Sequence, residues 1–219
     1  AWEADNVSHG DDAREYVVVN NAIPGGLERT IVERLGMDPT KIKNLKLTGN
    51  ITRVDYDFMR ERMTGLQRLN LKEVESIIDG VYAIPQMAFD GKTTLIKCIL
   101  PDRLERIEDG AFSNTSLTGT LMLPEGLKYV SGFQYTKITN IHFPSTLDEI
   151  GYLAFCGCSS LMSEILLPES VKSIGYAAFS GVTIKELVIS DSYTPKSNHV
   201  LYQANVERVS FEEGIRRIP

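Results

Sequence analysis

Residues 143–155 read Phe143-Pro144-Ser145-Thr146-Leu147-Asp148-Glu149-Ile150-Gly151-Tyr152-Leu153-Ala154-Phe155. The same phrase occurs at Leu100-Pro101, Leu104, Ile107, Ala111-Phe112, and again at Leu167-Pro168, Val171, Ile174, Ala178-Phe179. Counted from the apolar residue before each proline, its members stand at +1, +4, +7, +11 and +12. Composition alone does not hold five offsets constant, so the chain is built from stacked repeats.

A second register, L-x-x-L-x-L, runs through the same residues. Its last two apolar positions lie two apart and so share one face of a strand. It occurs at Ile42, Leu45, Leu47; Leu66, Leu69, Leu71; Leu95, Cys98, Leu100; Ile138, Ile141, Phe143; Ile184, Leu187, Ile189; and Val206, Val209, Phe211. Two more copies, Leu121 with Leu123 and Ile165 with Leu167, carry one extra residue after Leu117 and Leu161. The eight middle positions, 45, 69, 98, 121, 141, 165, 187 and 209, are separated by 24, 29, 23, 20, 24, 22 and 22 residues. These periods fall in or near the leucine-rich-repeat range. The expected fold is an α/β leucine-rich-repeat solenoid, right-handed, with about eight short parallel strands on one face and turns and short helical pieces on the other.

In each unit a strand ends before the proline, which cannot extend a ladder, and the Ala-Phe turn fills the opposite wall. The small residue lets neighbouring coils approach and the ring fills the interior, so the phenylalanines are expected to stack in a column. Four departures carry further expectations. In the unit after Leu123 the Ala-Phe offsets fall on Gln134 and Tyr135. In the first coil the offsets +4, +7, +11 and +12 from Leu47 fall on Ile51, Val54, Phe58 and Met59. The second unit holds extra residues around Ile78 to Tyr82, read as a bulging loop. The last complete coil keeps Tyr193, Val200 and Leu201, and Phe211 opens a unit that stops at Pro219.

Residues 1–41 lie outside the repeat and are expected to form an N-terminal acidic segment and cap, with 42–219 as the solenoid. Glu15 to Val19 reads as a strand, and Pro24 to Leu35 places Leu27, Ile31, Val32 and Leu35 at helical spacing before Gly36. The acidic stretch from 3 to 15 is expected to be mobile. Residues 1–40 hold eight acids against three bases, whereas 41–219 hold 21 against 20. A nearly neutral repeat body lacks the basic stripe that nucleic-acid binding requires. No apolar run reaches the ~18 residues of a membrane span. The chain starts Ala1-Trp2-Glu3 without methionine, as a chain freed of an export signal would.

Catalytic and metal chemistry find little to stand on. Cys98, Cys156 and Cys158 are an odd set, and Cys156-Gly157-Cys158 lacks the further ligands a zinc site needs. They read as core or loop thiols. His9, His142 and His199 lie far apart in sequence. Asp55 and Asp57 read as solvated turn residues rather than paired carboxylates. There is no GxSxG, P-loop, HExxH or strand-associated GxGxxG. No metal, cofactor or catalytic residue is expected.

The repeat resembles the BspA-like, or Treponema pallidum type, leucine-rich repeat family, whose unit is similar to LP-x-x-L-x-x-I-x-x-x-A-F-x-x-C-x-x-L. The resemblance is strong at 99–117, 143–161 and 167–184, partial at 84–95 and 123–138, and extends over 42–218. Cys158, three after Phe155, stands at the family's cysteine. The stretch from Ile42 to Gly49, followed by Leu66 to Leu71, resembles the entry region of such proteins from Bacteroides-type anaerobes. The resemblance implies secretion or display on the outer cell surface, often through a lipid anchor outside this chain, and binding of a host or neighbouring-cell protein or glycan without catalysis.

In an L-x-L strand the middle residue points outward, and stacked coils line these residues up. The stripe reads Lys46, Asn70, Ile99, Met122, His142, Leu166, Val188, Ser210. Its centre, Ile99 to Val188, is the candidate binding site, since a contiguous apolar patch marks an interaction surface. The expected function is an adhesin-like binding module. The alternatives are a structural spacer in a surface assembly and an accessory domain of an enzyme or sensor.

Overall fold

The computed structural model describes residues 16–189 and 201–211, without the side chains of Ile189 and Phe211. Strand β1 (Val17–Asn21) pairs in parallel with β2 (Asn44–Ile51), and β2 with β3 (Arg68–Ile78), which also pairs with β5 (Lys97–Ile99). Then come β7 (Thr118–Met122) with β9 (Lys137–His142), and β11 (Glu164–Leu166) with β14 (Glu186–Ile189) and β16 (Val209–Phe211), again all parallel. These strands hold all eight middle positions of the L-x-x-L-x-L register. Their inward residues, among them Leu45, Leu69, Cys98, Leu121, Ile141, Ile165 and Leu187, are buried in one continuous core.

The opposite wall is also β-structure. β4 (Val81–Ile84) begins a parallel ladder of two-residue strands, β6 (Arg106–Ile107), β8 (Tyr129–Val130), β10 (Glu149–Ile150) and β12 (Ser173–Ile174). Register stacks Ile84, Ile107, Val130, Ile150 and Ile174, all facing the core. Outside, Arg106 lies 4.2 Å over the Tyr129 ring and Arg103 4.3 Å over Tyr82. A further pair, β13 (Thr183–Ile184) and β15 (Asn205–Val206), joins the last described coils. Among the described residues helix is confined to the cap and the first coil.

Between the two walls runs the aromatic column. Phe89, Phe112, Phe133, Phe155 and Phe179 stack with centroid separations of 5.4, 5.1, 5.7 and 5.6 Å, and Tyr56 closes the N-terminal end edge-on at 5.6 Å. The column corrects two expectations. In the short unit the Ala-Phe slots are filled by Gly132 and Phe133, two residues earlier than the offset count, while Tyr135 is exposed. The Phe133 N–H donates to Ala154 C=O as Phe112 N–H donates to Gly132 C=O, which fixes the equivalence. In the first coil the interior ring is Tyr56. It lies on helix α1 (Arg53–Glu61), which buries Tyr56, Phe58 and Met59 and leaves Val54 exposed. The Tyr56 hydroxyl is hydrogen-bonded to Ser76 Oγ at 2.8 Å, and Ser76 Oγ donates to Ala83 C=O at 2.6 Å, so the buried phenol is satisfied.

The extra residues of the second unit form a hairpin rather than a bulging loop. β3 and β4 pair antiparallel, Ile77 with Tyr82 and Ile78 with Val81. Asp79 and Gly80 both take positive φ, 52° and 83°, the two-residue turn whose twist suits a hairpin.

The cap strand and the helical segment form as expected, although the segment contains a π-helical turn at Arg29–Arg34 and buries only Leu27 and Ile31 of its four apolar residues. Asp55 ties this cap to the solenoid. Its carboxylate accepts from the N–H groups of Gly25 (2.8 Å), Leu27 (2.9 Å) and Thr52 (2.8 Å), the last completing a capping box. Asp55 is therefore a buried staple and not a solvated turn residue, whereas Asp57 pairs with Arg60 at 2.7 Å on the surface. At the other end of α1 the Lys92 ammonium donates to the carbonyls of Arg60 (3.2 Å) and Met63 (2.7 Å), where the helix dipole favours a cation. Burial pushes its pKa down to about 8.

The expectations for residues 3–15, Tyr193, Val200 and 212–219 lie outside the described residues.

Candidate binding face

The outward residues of the stripe come together in three blocks. Register matches Lys46 with Asn70 and Asn70 with Ile99, then Met122 with His142, then Leu166 with Val188 and Val188 with Ser210. Among the described residues no bridge joins β5 to β7 or β9 to β11, so the stripe is interrupted twice.

Exposure divides the candidates. Leu166 is 62% exposed, His142 is exposed, and Met122 and Val188 are half-buried. Ile99 is only 5% exposed and drops out of the open patch. It has a neighbour on each side: Asn70 in register on β3, and the following coil drawn in by Thr118 N–H donating to Ile96 C=O at 3.3 Å. Leu166 has a paired neighbour on one side alone, because β11 faces the opening toward β9. The open apolar surface thus centres on Met122, Leu166 and Val188, beside His142.

A cleft of about 400 Å³ lies at the β9/β11 opening, within the size range of ligand sites. Asn140 and His142 line one side; Ser163, Glu164 and Leu166 line the other, with Lys185 at the margin. Asn140 Oδ1 accepts from the N–H of Ile141 at 2.8 Å. Apart from His142, the polar lining residues were not legible as a site in sequence, because periodicity says which way a side chain points and not whether adjacent coils are joined.

The cysteines are placed for packing. Cys98 and Cys158 are buried, and burial raises both thiol pKa values, that of Cys158 to about 11. Cys158 Sγ donates to Phe133 C=O at 3.0 Å and lies 3.2 Å from Thr136 Oγ1. Thr115 and Thr136 occupy the equivalent slot in the preceding coils and donate to Phe112 and Phe133 C=O at 2.8 and 2.9 Å. The slot thus asks for a small donor that satisfies a corner carbonyl. Among the described residues no three His, Cys, Asp or Glu side chains converge as metal ligands. His142 has neither of the other histidines near it within the described residues, since both lie outside them.

Parallel strands one coil apart, a stacked aromatic interior and a strand face of outward variable residues define a leucine-rich-repeat solenoid protein. The sequence matches the BspA type leucine rich repeat region in six copies, over residues 65–136 and 129–219, and the chain belongs to that family. Its structure is similar to that of a leucine-rich repeat protein from Bacteroides ovatus, with a TM-score of 0.54 and 18% identity, covering 90% of this chain and 61% of that one. The chain therefore spans about three fifths of that protein's length, and at this identity the likeness is one of fold. More distant matches are a Treponema pallidum leucine-rich repeat protein (TM-score 0.36, 24% identity, 79% of this chain and 70% of that one) and a leucine rich cell surface protein from Faecalibacterium prausnitzii (0.34, 16%, 94% and 86%). No curated protein matches the sequence significantly. No helix among the described residues is long and apolar enough to cross a membrane.

Proposed function

We propose that this chain is a non-catalytic recognition module, exported to the cell surface or beyond, whose outward strand face binds a protein or glycan of a host or neighbouring cell. The observation that carries the reading is the apolar surface left open at the centre of that face. Leu166 is held on a rigid strand in register with Val188, yet remains largely in water. Apolar residues fixed on a scaffold and left unburied gain free energy when a partner covers them. Membership of the BspA-type repeat family supports the location.

The test is a binding screen against extracellular-matrix proteins and glycans, with the Met122→Lys/Leu166→Lys double variant as control. Both side chains are surface-accessible, so the variant keeps the fold. The expected result is loss of at least about tenfold in affinity for the partner found. Unchanged affinity for every partner would place recognition elsewhere, and turnover above background in hydrolase assays would overturn the non-catalytic reading.

A further inference from the structure

The two walls of the solenoid behave differently between residues 137 and 174. The inner ladder continues without a gap from β8 through β10 to β12. On the outward face, β9 bonds β7 and β11 bonds β14, but nothing bridges β9 to β11 among the described residues. Two strand edges therefore face one cleft with N–H and C=O groups outside any ladder, although on β9 the Ile141 N–H is already held by Asn140 Oδ1 at 2.8 Å. Such edges are templates for another strand.

The charges of the cleft point the same way. Glu164 stands in register beside Glu186, and both project from the outward face. Glu186 is ion-paired with Arg208 at 3.5 Å and accepts a hydrogen bond from the Ser210 hydroxyl. Glu164 has no hydrogen bond or ion pair among the described residues, although a carboxylate directly opposite a like charge needs a cation. The Lys185 N–H donates to Ser163 C=O at 3.2 Å, but its ammonium, in the same cleft, has no partner among the described residues. On the same face Lys46 is matched with Glu73 at 2.6 Å. Ser163 Oγ, also in the lining, is buried without a hydrogen-bond partner. Open backbone edges, a free carboxylate, a free ammonium and an unused buried hydroxyl are a donor and acceptor set for a peptide.

We propose that the opening between β9 and β11 takes an extended peptide segment of the partner, added as a strand, with a basic side chain on Glu164. Strand addition draws affinity from the main chain and specificity from alternate side chains. Glu164 and Leu166 lie two apart on one face, so the segment that fits reads basic-x-apolar, its cation on Glu164 and its apolar side chain on Leu166. β11 has three residues, so about 10 Å of ligand main chain is engaged. A glycan would use the polar lining and leave the strand edges idle, which is why the peptide is favoured. The inference rests on the reading of this face as a recognition surface and adds the chemistry of the ligand.

The experiment titrates the isotope-labelled protein with the capped peptide Ac-Thr-Lys-Thr-Val-Thr-NH2 and follows amide shifts. Three other probes run in parallel: the same peptide N-methylated at alternate amides, the peptide with glutamate in place of lysine, and chitotetraose. Strand addition predicts shifts at residues 140–142 and 163–166 with the lysine peptide alone. Glu164→Lys, a surface change that leaves the core untouched, should weaken that peptide by about tenfold and favour the glutamate peptide. Equal binding by the N-methylated peptide, shifts with chitotetraose in place of the peptide, or no shift at millimolar peptide would each overturn the proposal. If the Met122→Lys/Leu166→Lys variant loses its macromolecular partner while the peptide moves none of these amides, strand addition is wrong and the recognition module stands.

Discussion

Truncating Phe133 to alanine separates the structure's placement of the interior column from the offset count that puts Tyr135 there. Phe133 is fully buried, with neighbouring rings at 5.1 and 5.7 Å. Losing transfer of the ring into the core costs about 2–3 kcal/mol. The stacked rings on either side keep the site from collapsing, and a residual void on the order of 80 Å³ at ~24 cal/mol per Å³ adds about 2 kcal/mol. The sum, ~4–5 kcal/mol, corresponds to a fall of about 2 M in the urea midpoint for a slope near 2 kcal/mol/M. Because repeats are stabilised by nearest neighbours, the loss falls in mid-array and the transition should broaden as the two halves uncouple. Tyr135→Ala, at a residue 61% exposed, should cost no more than about 1 kcal/mol. Urea titrations followed by far-UV circular dichroism read both. A midpoint shift below about 0.5 M for Phe133→Ala, or an equal shift for Tyr135→Ala, would refute the column.

Asp55→Ala strips three backbone N–H groups of one carboxylate and should cost about 3–5 kcal/mol, with hydrogen-exchange protection lost at Gly25 and Leu27 before the rest of the chain; retained protection there would show that the cap is held by other contacts. Lys92 has a folded pKa of about 8, below the ordinary lysine value, so the unfolded chain binds more protons above pH 8 and this group makes stability rise with pH from 8 toward 10. Beyond pH 10 the buried hydroxyl of Tyr56 and the half-buried one of Tyr129, whose pKa values are raised by burial and, for Tyr129, also by its hydrogen bond to Asp109, act in the opposite sense. Lys92→Met should flatten the rise between pH 8 and 10 in denaturation curves, and an unchanged slope would assign it to another group. A thiol reagent at neutral pH should modify Cys156 in the folded protein and reach Cys98 and Cys158 only after unfolding; rapid labelling of all three would contradict their burial.

Much of the fold is legible because inward residues obey a period. The leucines of the strand face, Phe112, Phe155 and Phe179 can be placed by counting alone, since a coil of fixed length returns each to the same interior position. Counting fails where a coil changes length. Two residues fewer before Phe133 move Gly132 and Phe133 into the slots that arithmetic gives to Gln134 and Tyr135. The Asp79-Gly80 dipeptide between Ile77-Ile78 and Val81-Tyr82 did carry a hairpin signal in the sequence. The candidate face is less legible. Outward direction followed from alternation, and Met122, His142, Leu166 and Val188 stand as that predicts. Alternation is silent on what lies beside a strand, so it could not tell Ile99, hemmed in on both sides, from Leu166, open on one. The partnerless Glu164 and Lys185 become visible only once the gap between β9 and β11 is seen.

That gap also bears on mechanics. The short strands from β4 to β12 run on like the spine of a book, while the outward strands are cut into three sets of leaves. Bending that spreads the outward face meets no ladder hydrogen bonds at the two cuts, whereas bending the other way must break the spine or crush the phenylalanine column. The solenoid is therefore softest toward opening where the candidate ligand would enter, and its curvature and its occupancy are coupled through the same missing hydrogen bonds.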